Sequence, residues 1–145
     1  MAINNIKRGC GALIYAHSSR RYLFLLRNSG KFPNTWGLVG GKIEADESIQ
    51  NGLIREISEE LGGHVADAKI IPIDQYTSDS GIFVYHTFLI QVDEEFIPYL
   101  NQEHKGYCWV TLEVLPKPLH PGLEKTLTSA RVKEKLHTLE KIKNN

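Results

Sequence analysis

The chain has few features of a secreted, membrane-spanning or disulfide-bonded protein. It has only two cysteines, Cys10 and Cys108, and their wide separation fits neither a metal-binding pair nor a CxxC redox motif. No run approaches the roughly 18 apolar residues of a membrane span, and residues 1–9 have no apolar signal-peptide segment. We therefore expect a cytoplasmic protein with reduced thiols and no membrane partner.

The sequence also lacks an excess of charge of either sign, since 17 Lys and Arg balance 17 Asp and Glu. Without an overall basic field, nonspecific binding of nucleic acid is not expected. An anionic substrate must instead be attracted by a local site, for example one with a bound cation. The composition, 41% hydrophobic and 23% charged, is typical of a folded domain, and the length suits a single domain over residues 1–145.

Apolar periodicity predicts strands and helices in alternating groups. Strands are expected at 9–16, 21–27, 68–78, 81–92 and 107–111, with a turn-rich loop at 31–41 that holds a short extended piece. Apolar residues recur every four positions from Ile49 to Leu61, which predicts a helix over 47–61 with Asp46 as its N-cap. A second helix is expected over 123–142. This order predicts an α/β fold with a mixed sheet.

Three acids cluster on one side of the first predicted helix. Glu56, Glu59 and Glu60 have the spacing i, i+3, i+4, which places like charges next to each other. A hard divalent cation would compensate their repulsion, because Mg²⁺ and Mn²⁺ prefer carboxylate oxygens. The alternative is a solvated charged helix face, and three acids alone do not distinguish the two.

The segment around these acids resembles a known family motif. Gly41-x5-Glu47-x7-Arg55-Glu56-Ile57-Ser58-Glu59-Glu60-Leu61-Gly62 is similar to the Nudix box, G-x5-E-x7-R-E-U-x-E-E-x-G-U, in which U is a bulky aliphatic residue. The one departure is Gly63 at the last U, which affects packing after the helix and not the acids. The resemblance implies a Nudix fold, an α/β/α sandwich with a mixed central sheet. It also implies hydrolysis of a nucleoside diphosphate linked to another moiety.

The same resemblance implies roles for the residues of the box. The metal ligands for Mg²⁺, or Mn²⁺, would be the carbonyl of Gly40 and the carboxylates of Glu56, Glu59 and Glu60. Gly41 and Glu47 would be structural, with Glu47 paired to Arg55. Arg55 would orient a catalytic carboxylate, and Glu56 is one candidate for the general base.

Further candidates lie outside the box. Glu103-His104, ahead of Gly106–Val110, resembles an E-H-x-x-Y-x-W-V stretch found downstream of the box in many Nudix proteins. This makes Glu103 a second candidate for the general base or an extra metal ligand, the alternative being a surface acid. Arg27, Tyr76 and Phe83 are candidate substrate-binding residues, although a solvated arginine and core aromatics are the simpler interpretations.

Two functions of different classes follow. The first is a pyrophosphohydrolase acting on a nucleotide sugar, ADP-ribose, a dinucleoside polyphosphate or a nucleoside triphosphate. The second is a noncatalytic Nudix module that binds and senses a nucleotide. Degenerate modules usually lose box carboxylates, and this chain keeps all of them. A second copy of the same chain, in a homodimer, is a further candidate partner.

Overall fold

A computed structural model describes residues 6–62 and 69–142. Within these residues, the secondary structure comprises seven strands, three α-helices and a 3-10 turn at Leu112–Val114. The strands are β1 (Lys7–Ala16), β2 (Arg21–Arg27), β3 (Trp36–Gly37), β4 (Val39–Ile43), β5 (Ile70–Thr77), β6 (Phe83–Val92) and β7 (His104–Val110). The helices are α1 (Ile49–Leu61), α2 (Pro121–Thr128) and α3 (Ala130–Leu139).

The strands form one mixed sheet whose main path has the order β3-β2-β1-β6-β5, while β4 pairs with β1 and β7 pairs with β2. β1 and β6 run parallel over their whole length, whereas the other pairs are antiparallel. With one edge of β1 occupied by β6, its other edge pairs first with β4, through residues 8–12, and then with β2, through residues 14–16. The sheet is therefore split between β2 and β4, which leaves room for a site at that point.

Helices cover both faces of the sheet, as the predicted α/β/α sandwich requires. On one face, Leu53, Ile57 and Leu61 of α1 pack on a buried core of sheet residues. On the other face, α2 and α3 contribute Leu123, Leu127, Val132 and Leu136 to a second core. No helix within residues 6–62 and 69–142 combines the length and the apolar character needed to cross a membrane.

The first helix begins later than the sequence predicted. Ser48, not Asp46, is the N-cap, and its hydroxyl accepts a hydrogen bond from the amide of Asn51 at 3.1 Å. Glu47 lies before the helix, where its carboxylate accepts from the amide of Glu44 at 2.7 Å and binds Arg55. The predicted end at Gly62 is confirmed by its φ of 75°, whereas Gly63 lies outside the described residues.

Two other predictions were wrong in detail. The short extended piece predicted within the loop at 31–41 is longer than expected, since β3 and β4 together cover most of 36–43, where Gly40 and Gly41 can pair closely with Gly11 and Cys10 of β1. The single last helix is two helices that meet at Ser129, whose extended backbone (ψ 124°) breaks the helix while its hydroxyl caps Val132. Strand predictions agree within a few residues, although β7 begins three residues early at His104, and residue 68 is not among those described.

Candidate active site

Glu60 is the most buried acid of the box helix. It is 1% exposed, near the C-terminal end of α1, and its Oε1 accepts a hydrogen bond from the amide of Gly40 at 2.7 Å. Gly40 can pair this closely with β1 only because it has no side chain: at its φ of 155°, a Cβ would overlap the carbonyl of Cys10. The glycine pair of β4 therefore lies between β1 and the box acids, with Gly40 against Glu60 and Gly41 against Glu56.

Glu103 and His104 join Glu60 from the far end of the chain. The pairing of β7 with β2 carries them to the split in the sheet, and the backbone amide of Asn28 donates to the carbonyl of Glu103 at 2.9 Å. Asn101 holds the same turn, because its side-chain oxygen accepts from the amide of Glu103 at 2.9 Å. As a result, Glu60, Glu103 and His104 each place one potential ligand atom within 4.8 Å of the other two.

The electrostatics of this cluster are unusual for a buried site. Burial, the main cause, raises the pKa of Glu60 to about 9, and contact with the carboxyl group of Glu103 adds to the effect. Burial also lowers the pKa of His104, which favours its neutral form. His104 Nδ1 lies 3.3 Å from Glu60 Oε2. When Glu60 and Glu103 are both ionised, neither of these two atoms has a hydrogen-bond partner among the described residues. Two carboxyl groups this close need a shared proton or a cation between them.

Arg55 organises the other acids of the box. Its guanidinium contacts Glu47 at 2.6 Å, Glu56 at 3.0 Å and Glu59 at 2.8 Å, and it also donates to the carbonyl of Lys42 at 2.9 Å. The hydrogen bonds from Arg55 lower the pKa of Glu47 to about 2. A planar guanidinium can serve this many acceptors in fixed directions, whereas an ammonium group cannot.

Glu56 is largely buried, whereas Glu59 is about half exposed. The carboxylate of Glu56 lies against Gly41, where any Cβ would meet it at 2.5 Å, and burial is the main cause that raises its pKa. The negative charges of Glu59 and Glu103 act on Glu56 in the same direction. The side chain of Glu59 is 49% exposed and bound to Arg55, outside the group formed by Glu60, Glu103 and His104.

A cavity of about 480 Å³ opens beside these acids. It shares Gly40 and Gly41 with them, so the cavity and the acidic group meet at the split in the sheet. Its walls include all three predicted substrate-binding residues, Arg27, Tyr76 and Phe83. The remaining walls come from β3, β4, β5, β6 and from α2 with its N-cap, including Asp74, Tyr85, Thr87, His120 and Lys125.

Arg27 lies between the acidic group and the cavity. It donates to the carbonyl of Lys31 from Nε at 3.0 Å and from Nη2 at 2.8 Å, which fixes its guanidinium in place. Its charge adds to the burial that lowers the pKa of both His104 and His120. An arginine held there can attract an anionic group that enters the cavity.

Sequence reasoning missed Asp74, Lys125, Asn28 and Asn101. Asp74 escaped because a β-bulge shifts the register between Pro72 and Asp74, so simple alternation places it on the wrong face. The two asparagines act through loop contacts between segments that are distant in sequence. The one available signal for Asp74 was Pro72, a proline two residues before it inside an otherwise β-rich run.

Comparison with known proteins identifies the family. The family model for the NUDIX domain matches residues 6–130. The chain belongs to the Nudix family. A dihydroneopterin triphosphate diphosphatase from Haemophilus influenzae is 32% identical over 114 residues, covering 68% of this chain and 70% of that protein. The nucleoside triphosphatase NudI of Salmonella paratyphi B is 35% identical over 98 residues, covering 61% and 70%.

Solved Nudix structures have the same fold. The MutT NUDIX hydrolase from Burkholderia pseudomallei superposes with a TM-score of 0.70 at 26% identity, covering 86% of this chain and 97% of that one. This Nudix chain is therefore a pyrophosphohydrolase with the α/β/α fold that its box implied. The similar enzymes also carry names that refer to triphosphate substrates, which bears on the choice of substrate.

Proposed function

We propose that this Nudix enzyme hydrolyses a phosphoanhydride bond of a nucleoside triphosphate-like substrate, with Mg²⁺ or Mn²⁺ as cofactor. The observation that carries the proposal is the group of Glu60, Glu103 and His104, in contact through Gly40 with a cavity large enough for a small heterocycle. The names of the two similar enzymes, a triphosphate diphosphatase and a nucleoside triphosphatase, support triphosphates over the other Nudix substrates.

The donor set fits a hard divalent cation. Glu60 Oε2 and His104 Nδ1 are buried without hydrogen-bond partners among the described residues, and the neighbouring carboxyl group is an oxygen donor. Glu56, Glu60, Glu103 and His104 would hold the cation, with Glu59 and the Gly40 carbonyl as further ligands proposed from the box. A divalent cation neutralises phosphate charge and makes water more acidic, which are the two needs of anhydride hydrolysis.

The side chains of the site have separate tasks in this scheme. Arg55 holds the carboxylate of Glu56 in one direction, while its bonds to Glu47 anchor the guanidinium itself. Arg27 binds the phosphate that lies nearest the cavity. A carboxylate of Glu103 or Glu56 accepts the proton of the attacking water, since Glu103 belongs to the acidic group, Glu56 lies near enough for the charge of Glu103 to raise its pKa, and neither side chain is fully buried.

A product analysis tests the proposal. The enzyme is incubated with Mg²⁺ and GTP, ATP, dihydroneopterin triphosphate, ADP-ribose or a dinucleoside polyphosphate, and products are separated by ion-exchange chromatography. We expect turnover of a triphosphate and its loss with EDTA or in the Glu56→Gln/Glu60→Gln double variant. Turnover of ADP-ribose alone would refute the triphosphate assignment, and nucleotide binding without turnover of any compound would favour a sensing module.

A further inference from the structure

A lone carboxylate lines the cavity at a distance from the acidic group. Residues paired across four neighbouring strands form a row: Gly40 on β4, Gly11 on β1, Thr87 on β6 and Asp74 on β5. At about 4.8 Å per strand, Asp74 lies roughly 14 Å from Gly40. If the phosphates lie at Gly40, this distance must be spanned by the sugar or side chain that links them to the substrate ring. Asp74 is therefore placed at the ring end of the cavity.

A β-bulge aims Asp74 into the cavity. Ile71 pairs with Leu89 and belongs to the core beneath α2 and α3, as does Ile73. Strict alternation would turn Asp74 to the opposite face. The register shift between Pro72 and Asp74 instead pairs Asp74 with Thr87, whose side chain shares the face of Leu89 and lines the cavity. The strand thus departs from regular geometry at the position where the carboxylate of Asp74 faces the cavity.

The ion pair of Asp74 does not account for this placement. Its Oδ1 binds Nη2 of Arg131 on α3, but the arginine side chain is 66% exposed whereas that of Asp74 is 15% exposed. An ion pair with such an exposed arginine contributes little to stability. Among the described residues that line the cavity, Asp74 is the only acid. It is also anchored on one oxygen, which fixes the direction of the carboxylate.

The cavity floor beside Asp74 suits a flat ring. The ring of Tyr85 lies along β1 over two glycines: a Cβ on Gly9 would meet its Cδ1 at 3.0 Å, and one on Gly11 would overlap its hydroxyl. The absence of side chains at these positions lets the tyrosine lie close to the sheet. Tyr76 and Phe83 stand on either side along the same face. Aromatic walls of this kind bind heterocycles by stacking, with little selectivity between them.

We propose that Asp74 is the specificity-determining residue of this enzyme, and that it selects a ring with two adjacent N–H donors. Guanine and pterin rings present such an edge, a ring N–H beside a 2-amino group. A carboxylate only accepts hydrogen bonds and can accept both at once. Adenine offers one amino group beside a ring nitrogen that is itself an acceptor, so it would face the carboxylate with a repulsive contact. The inference rests on the proposed triphosphate hydrolase function.

The test is an exchange of specificity in Asp74→Asn. An asparagine can both donate and accept, the pattern that matches the amino group and ring nitrogen of adenine. We expect the wild-type enzyme to prefer GTP and dihydroneopterin triphosphate over ATP in kcat/KM. In Asp74→Asn, the GTP-to-ATP ratio of kcat/KM should fall by about 5- to 150-fold, the range of one bidentate base contact. Arg131→Gln is the matched control, because it removes the ion pair and keeps the carboxylate.

The outcomes separate this inference from the function on which it rests. Equal falls of the ratio in Asp74→Asn and Arg131→Gln would overturn it, since the carboxylate would then act only through its ion pair. An unchanged ratio in Asp74→Asn would overturn it as well. If the wild type hydrolyses no triphosphate, the proposed function fails. The inference is then decided by calorimetric binding of the α,β-methylene analogues of GTP and ATP, whose affinity ratio must shift in Asp74→Asn and not in Arg131→Gln.

Discussion

The acidic group and the cavity differ in how the chain supplies their residues. The acids around the acidic group come mostly from one short segment, because Glu56, Glu59 and Glu60 all lie on α1, whereas Glu103 and His104 are added from the start of β7 and the residue before it. The cavity takes its walls from β2, β3, β4, β5, β6 and α2, which are spread from residue 27 to residue 126. In the proposed function, the chemistry of phosphate hydrolysis is thus encoded locally, whereas the choice of substrate ring depends on the packing of distant elements.

This difference predicts that substitutions in the two regions change different kinetic constants. Loss of a group in the acidic region should lower kcat, because in the proposed function that group acts on the reacting phosphate. Loss of a side chain that lines the cavity should mainly raise KM, because in the proposed function that side chain binds the part of the substrate that does not react.

The largest effect is expected at the general base. Glu103→Gln keeps the size of the side chain and removes its ability to take a proton, so kcat should fall by about 10²- to 10⁴-fold with little change in melting temperature. Steady-state rates at low and high Mg²⁺ measure it, with Glu94→Gln, an exposed acid, as control. If Glu56 is the base instead, Glu56→Gln takes the large loss and excess Mg²⁺ restores Glu103→Gln. Wild-type kcat in Glu103→Gln at low Mg²⁺ would remove Glu103 from the site.

A smaller effect on kcat is expected at Arg55. Arg55→Lys keeps the charge but cannot reach Glu47, Glu56 and Glu59 together, so Glu56 loses its fixed direction. We expect kcat to fall about ten-fold or more, the cost of a misplaced catalytic group. The matched control is Arg21→Lys, which breaks a similar two-point contact with Glu95 away from the site. Equal kcat values for the two variants would contradict an orienting role.

A substitution in the cavity wall should change KM. Tyr85→Leu removes the flat ring over Gly9 and Gly11, and KM for the preferred triphosphate should rise by about 5- to 100-fold, the contribution of one stacked ring. The control is Tyr107→Leu, a half-exposed tyrosine on β7 that does not line this cavity. A fall in kcat with unchanged KM would mean that the two regions are not separable in function.

The same contrast explains what the sequence could reveal. The order of elements and the box were predictable, because apolar periodicity and a fixed spacing of acids both lie within short segments. Ser48 as N-cap and the break at Ser129 were missed, since several neighbouring residues could have ended either helix. Asp74 was not predictable, because a one-residue bulge reverses the face of every following side chain. Arg27, Tyr76 and Phe83 were named as candidates, but only the packed sheet places them around one cavity.

The central claim is that the acidic group binds a divalent cation, and a Mn²⁺ titration by calorimetry tests it most directly. The pKa of Glu60 is raised to about 9 in the protein without metal, so at pH 7 a cation must displace its proton. The affinity should therefore increase as the pH rises from 6 to 9, with release of about one proton at pH 7, detected from buffers of different ionisation enthalpy. Glu60→Gln should bind weakly and release none. Equal Mn²⁺ affinity in the wild type and Glu60→Gln, or full turnover in EDTA, would contradict the account.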